Sequence, residues 1–462
     1  MSLDEGFKNP FTVGIASMEL ESWKKMEDDW AEKMGRDIQS TLTLAAGLLF
    51  THEVLRNNPG RYRFLGMRSV LITLMNGRRI RVNSPAYQHI PIKRRGRPRK
   101  VNKGALIHPA LEFLGFIDKK SPEFLSAVVR SAVSSSSFQA ASEDLAFHRI
   151  PVSHEQVRNL TYRYADLFLA ERVKNCLDGS EKQANLRIEI TIDGGRIRMR
   201  EEVKKKNGVR QNTTFKPQWR EPILFSIRII NEKGELVREV PQLLEGTMKN
   251  WKNAFALLTK YLQEYNLKDA KQITFLADGS NSIWSHVDTM MENLGVIDYS
   301  AVVDHMHAKQ NLNIIIAMMN KKLSKAAGVK NHDRMHALLW EGEIDGMKDE
   351  INNHFNSKRR GKKAALNKLN NYFGHHERFE YERLRKEGHP IGSGSIESAI
   401  RRAINMKLKG NGIFWNSNNC EKMLYLRCQF LTKRWDILKD KLEQRRLSCY
   451  GINNLGELMD EA

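Results

Sequence analysis

The stretch LRIEITIDGG, residues 186–195, decides how the chain is read. Leu186, Ile188, Ile190 and Ile192 fall on one face, and Arg187, Glu189, Thr191 and Asp193 on the other. A period of two with β-branched residues is the pattern of a strand. Asp193 therefore stands at a strand end, where Gly194-Gly195 breaks the run. Ile197 and Met199 resume the alternation, and PILFSIRIINEKGELV (222–237) supplies at least one further strand with a turn at Lys233-Gly234. These read as consecutive antiparallel strands.

Beyond them, Trp251, Phe255, Leu258 and Leu262 recur at helical spacing, and the apolar run QITFLADG (272–279) reads as a buried strand ending in a second acid, Asp278. SIWSHVDTMMENL (282–294) reads as a helix, and YSAVVDHMH (299–307) as a short strand followed by Asp304 and His307. Antiparallel strands, then helix, strand, helix, strand, is the order of an RNase H-like α/β core with a mixed sheet. In it the tips of the first and fourth strands lie side by side, which brings Asp193 and Asp278 together. Two carboxylates at one spot repel each other and are costly to desolvate unless a cation sits between them, and hard oxygen ligands of this kind suit Mg²⁺ or Mn²⁺. GHPIGSGSIESAIRRAINMKLKG (388–410) offers a third acid, Glu397, in the first turn of a helix behind a Gly-Ser turn. Arg401 and Arg402 follow it, placed to face a phosphate backbone.

Composition fits such chemistry. The chain has 462 residues, enough for roughly three domains at about 150 residues each, and 75 Lys and Arg against 54 Asp and Glu give a net charge of +21. A positive excess of this size favours polyanionic partners, nucleic acid before anionic membrane. With 41% hydrophobic residues the chain is a folded protein rather than a disordered one. The four cysteines, Cys176, Cys420, Cys428 and Cys449, form no Cys-x-x-Cys pair, so reduced thiols in a cytoplasmic compartment are expected and a zinc site is not. The acidic, polar N-terminus is unlike a signal peptide, and the run Leu42–Phe50 is too short to span a bilayer, so no membrane partner is expected.

Upstream of the core, residues 15–57 carry an amphipathic helical pattern, and Asn76-Gly77 between two strand-like runs signals a hairpin. KRRGRPRKVNK (93–103) holds seven basic residues and no acid. Its Arg95-Gly96-Arg97-Pro98 centre resembles the AT-hook, in which an extended backbone lays two arginines into a narrow A·T minor groove; a solvated basic linker is the other reading. Residues 121–165 read helix, helix, a break at His148–Pro151, helix. Ser153 and Gln156 form a capping-box pattern at the start of the last helix. Ser153, His154, Gln156 and Arg158 at that start suit the recognition helix of a helix-turn-helix.

ITIDGG (190–195), LADGSNSIW (276–284), VVDHMHAKQNL (302–312), IGSGSIESAIRR (391–402) and the trailing MKLKGNGIFWN (406–416) together resemble the DDE signatures of bacterial insertion-sequence transposases related to Mutator-like elements. The resemblance covers roughly 186–436. It implies Mg²⁺-dependent cleavage and joining of DNA strands, with Asp193, Asp278 and Glu397 as the acids that hold metal. Asp304 and His307 match the aspartate-x-x-histidine motif of such enzymes. Some of their families use the acid of that motif as the second catalytic residue, which leaves Asp304 in competition with Asp278. Lys407, Lys409, Arg401 and Arg402 are candidate DNA contacts, as are the basic residues at 358–363. Trp415 has two readings, a platform for a base flipped near the cleavage point or a core residue.

The expected architecture is multidomain α+β. It comprises an N-terminal helical and hairpin region (1–92), a basic linker (93–104), a helix-turn-helix DNA-binding domain (105–180), an RNase H-like core (185–307 and 388–436) interrupted by an all-α insertion (308–387), and a C-terminal tail (437–462). The expected partner is double-stranded DNA, both transposon ends and target, bound by a homodimer or higher oligomer of a cytoplasmic, nucleoid-associated protein. A domesticated, non-catalytic DNA-binding regulator and an RNase H-like nuclease are the alternatives.

Overall fold

The computed structural model describes residues 62–89, 106–200 and 217–437 apart from 76, 114, 171, 174–176, 178, 322–323, 356–359 and 411, together with 29, 33, 36 and 40. The basic linker with Arg95 and Arg97, the rest of the 15–57 region and the tail beyond 437 lie outside the described residues. The chain divides into two compact units, residues 1–164 with 439–462 and residues 165–438. The division falls inside a helix.

In the first unit the expected hairpin is present. Strands β1 (Tyr62–Thr73) and β2 (Arg79–His89) pair antiparallel, and β3 (Leu106–Ile107) adds to β2. Gly77 takes the left-handed conformation that the turn requires, with φ of 75°. Val70, Ile72, Ile80 and Val82 form a small core with Leu111 of α1 (Pro109–Phe113) and Phe116. Three helices follow: α2 (Pro122–Ser134), α3 (Phe138–Phe147) and α4 (His154–Ala170). Each begins on a serine. Ser121 Oγ accepts from the Phe124 N–H and Ser137 Oγ from the Ala140 N–H. Ser153 and Gln156 exchange reciprocal side chain to backbone bonds, both 3.3 Å, which completes the capping box.

The second unit is built on a five-stranded mixed sheet of β4 (Arg187–Gly194), β7 (Ile223–Ile230), β8 (Leu243–Thr247), β9 (Gln272–Ala277) and β10 (Ser300–Val303), in the order β10-β9-β4-β7-β8. β4, β9 and β10 run parallel, while β7 and β8 are antiparallel to their neighbours. Ile197 and Met199 do not continue this sheet. They belong to β5 (Ile197–Arg200), which pairs with β6 (Pro217–Arg220) as a separate two-stranded ribbon. The Ile188, Ile190 and Ile192 side of β4 packs into one large core with Phe255 and Leu258 of α5 (Trp251–Leu262) and Trp284 and Val287 of α6 (Asn281–Asn293).

The opposite side of β4, polar in sequence, is buried as well: Glu189 and Thr191 have no exposed surface. It is covered by α12 (Gly394–Ile400), while α13 (Ser417–Leu431) packs on β8. Between β10 and α12 the described residues contain helices and no strand: α7 (His305–Asn320), α8 (Lys325–Glu341), α9 (Ile344–His354), α10 (Arg360–Phe373) and α11 (Tyr381–Lys386). The fold is therefore mixed α/β. No helix among the described residues is long and apolar enough to cross a membrane.

Candidate active site

Strand register brings the acids together. In the parallel β4–β9 pair Thr191 lies opposite Leu276, so two steps further along, Asp193 and Asp278 come off neighbouring strand ends. In the β9–β10 pair Val303 lies opposite Ala277, so Asp304 follows at the same end of the sheet, its N–H donating to the Ala277 carbonyl at 2.8 Å. The carboxyl ends of parallel strands are where open α/β sheets bind ligands. A glycine follows each of the first two acids and lets other chain segments come close. A Cβ on Gly195 would run into the Ile404 side chain, and one on Gly279 would lie 2.5 Å from Tyr372.

Asp193 is half-buried at its strand end. Burial pushes its carboxyl up to about 6, Gly194 N–H and His307 pull it down, and the charges of Asp278 and Glu397 push it further up. Its Oδ1 accepts from the Gly194 N–H at 2.7 Å. Asp278, 38% exposed, accepts from Gly279 N–H at 2.6 Å and from the Tyr372 hydroxyl at 3.2 Å. Glu397 is exposed on α12 and accepts from the Ser393 hydroxyl at 3.2 Å. Behind it Ser395 Oγ donates to the buried Glu189 at 3.1 Å, and Glu189 is ion-paired with Arg228, its cross-strand partner on β7.

Asp304 has a different environment. It is 1% exposed, and both its oxygens are used by backbone: Oδ1 accepts the His307 N–H at 2.7 Å, capping α7, and Oδ2 accepts the Ser393 N–H at 2.5 Å. His307 sits between the acids, its Nδ1 being 3.5 Å from Asp278 Oδ1 and 3.9 Å from Asp304 Oδ1. That nitrogen is buried and makes no hydrogen bond. Among the described residues no three His, Cys, Asp or Glu side chains converge tightly enough to cage a metal ion by themselves.

α12 runs into a π-helical turn, Arg401–Asn405. Arg401 and Arg402 there, and Lys409 beyond, are exposed. Lys407 is not: it is 4% exposed, and burial together with Arg427 pushes its pKa down to about 8. Trp415 is half-buried. Its indole N–H donates to the Leu408 carbonyl at 2.8 Å, and its backbone bonds to Arg198 and Arg200 of β5. Of the basic residues at 358–363, Lys363 is exposed and Lys362 half-buried, while 358 and 359 lie outside the described residues. In the first unit Ser153, His154, Gln156 and Arg158 are all exposed at the start of α4.

Tyr372, Ser393, Ser395 and the Glu189–Arg228 pair support the acids and are not evident from sequence patterning. Glu189 has one visible signal, a charged residue on a strand four positions before Asp193 and hence on the same face.

No protein-family model matches the chain, and no curated protein matches it.

Proposed function

We propose that the chain is a DDE transposase of an insertion sequence, binding element ends and catalysing divalent-metal-dependent DNA cleavage and strand transfer from an RNase H-like core. The observation that carries this reading is the convergence of Asp193 and Asp278 at adjacent parallel strand ends, with Glu397 near enough to help raise the Asp193 carboxyl to about 6. The strand order β10-β9-β4-β7-β8, with its antiparallel half on β7 and β8, supports the fold half of the proposal.

The donor set fits a hard divalent cation. Three mutually repelling carboxylates gain when a cation joins them, and His307 Nδ1 faces two of the acids of this sheet end without a hydrogen bond. Mg²⁺ keeps several waters and takes only one or two protein carboxylates with substrate phosphate, so an open cluster suits it better than a closed cage. Asp193, Asp278 and Glu397 would hold it. When bound, such ions activate the attacking water or 3′-hydroxyl and stabilise the leaving oxygen. Tyr372 orients Asp278 through its hydroxyl, Ser393 and Ser395 set the approach of Glu397, and Arg401, Arg402 and Lys409 would hold DNA strands.

The test incubates the full chain with DNA cloned from both sides of its gene, in Mg²⁺ or in EDTA. Metal-dependent nicking and joining, lost in Glu397→Ala, is the expected result. Activity undiminished in Glu397→Ala overturns the assignment, and so does an absence of any metal-dependent cleavage.

A further inference from the structure

The ribbon of β5 and β6 starts four residues after Asp193 and is separate from the main sheet, and nothing in the acid cluster accounts for its surface chemistry. One face of β5 is buried through Ile197 and Met199, and Met199 bridges to Trp415. The other face carries Arg198 directly opposite Trp219 in the β5–β6 register. Trp219 is 45% exposed, unusual for so large an apolar ring. The guanidiniums of Arg196 and Arg198 stand 5.0 and 5.2 Å from its ring centroid. Arg220 beside it is exposed too, and the acid that follows, Glu221, lies against the end of β4, where a Cβ on Gly194 would meet its carboxylate.

We propose that this ribbon is a binding site for an unpaired DNA strand, with a base stacked on Trp219 and phosphates met by Arg196 and Arg198, next to Asp193. The inference rests on the DNA-processing reading above and names the form of DNA that reaches the site. An exposed aromatic face recognises an unpaired base, because a duplex hides its base faces within the stack. Magnitudes favour exchange of partners on the ring. A base stacked on an aromatic side chain contributes more than a solvent-exposed cation–π contact does. An arriving base therefore displaces a guanidinium, which becomes available to a phosphate. Trp415 does not fill this role, since its indole N–H is held by Leu408 and its backbone ties the ribbon down.

The experiment measures anisotropy of a labelled oligothymidylate, and of a duplex of mixed sequence, against the full chain in EDTA across a salt series. Trp219→Ala is expected to weaken oligothymidylate binding ~tenfold, in line with the loss of one stacked base. Duplex binding and the melting temperature stay at wild-type values, and Trp219→Phe restores most of the single-strand affinity. Replacing Arg196 and Arg198 by alanine flattens the single-strand salt slope by ~0.7 for each phosphate no longer neutralised. The proposal is overturned if the wild type does not bind oligothymidylate, if Trp219→Ala binds it as the wild type does, or if that variant loses single-strand and duplex binding equally. Binding as expected from a chain that shows no metal-dependent cleavage would leave the ribbon standing and remove the transposase reading.

Discussion

Asp304 joins two segments 89 residues apart, accepting the Ser393 N–H at 2.5 Å with one oxygen while the other caps α7 at His307. This buried carboxylate fixes the loop that leads to Glu397, whereas Asp278, 38% exposed, keeps its carboxylate accessible beside Asp193. The two acids that compete for one catalytic role on sequence grounds thus have different work. Asp304→Asn sets an amide NH₂ against a backbone N–H, and an unsatisfied buried group costs about 1–3 kcal/mol. Its melting temperature should fall, and metal-dependent cleavage with it. Asp278→Asn should keep the wild-type melting temperature and lose cleavage. Calorimetry paired with a nicking assay separates the two, and the reverse pattern would make Asp304 the second catalytic acid.

Asp193 gives a pH signature. Its folded-state pKa is raised from 3.8 to about 6, so between those values the folded chain keeps a proton that the unfolded chain releases. The acid's contribution to stability therefore falls as pH rises through that window, and the penalty is complete above about pH 6. Without metal, Asp193→Asn should melt higher than the wild type at about pH 8, and the gain should vanish as pH falls below about 4. Mg²⁺ should raise the wild-type melting temperature above pH 6 and leave the variant unmoved. A wild type indifferent to Mg²⁺ at alkaline pH counts against a metal on Asp193.

The hydrogen bond from Ser395 to Glu189 couples the Glu397 helix to β4. Ser395→Ala removes one modest bond, about 1 kcal/mol, and should lower kcat with little change in KM for DNA, because Glu397 is displaced and the strand contacts are not. Glu189→Gln is a harsher change. It leaves Arg228, 17% exposed, facing a neutral partner, and breaking a buried pair costs about 3–5 kcal/mol. Loss of soluble or folded protein is the expected readout. A Ser395→Ala effect confined to KM would mean that this contact does not position Glu397.

What the sequence makes legible follows from what controls each feature. β4 and β9 show in local patterning because they are buried, β-rich runs ended by Asp-Gly, and the helices α2 to α4 show because their caps are local. Alternation carried across Gly194-Gly195 misleads, since the two glycines turn the chain out of the sheet and Ile197 and Met199 are buried in a separate ribbon. β8 is hidden because Glu245 within it is charged and yet fully buried, satisfied by Arg172 and the Tyr261 hydroxyl from distant parts of the chain. The role of Asp304 is hidden for the same reason, since its partners are backbone N–H groups that no side-chain pattern marks. The acid cluster is readable because strand ends carry it; its supports are not, because they depend on contacts across more than one element.

Lys407 and its neighbours separate charge that is presented to solvent from charge that is buried. Arg401 and Lys409 are exposed, while Lys407 is 4% exposed with its pKa pushed down from 10.5 to about 8. Between those values the unfolded chain binds the extra proton, so stability rises with pH through the window and the cost of the buried charge is full below about 8. Lys407→Met should therefore raise the melting temperature at neutral pH, with the gain shrinking as pH climbs towards 10, and should leave the salt dependence of duplex binding unchanged. Arg401→Ala and Lys409→Ala should do the opposite, each flattening the log-log salt slope by ~0.9 while the melting temperature holds. If Lys407→Met flattens the slope as much as either of them, its ammonium reaches DNA despite its burial, and the surface around the π-helical turn must rearrange when DNA binds.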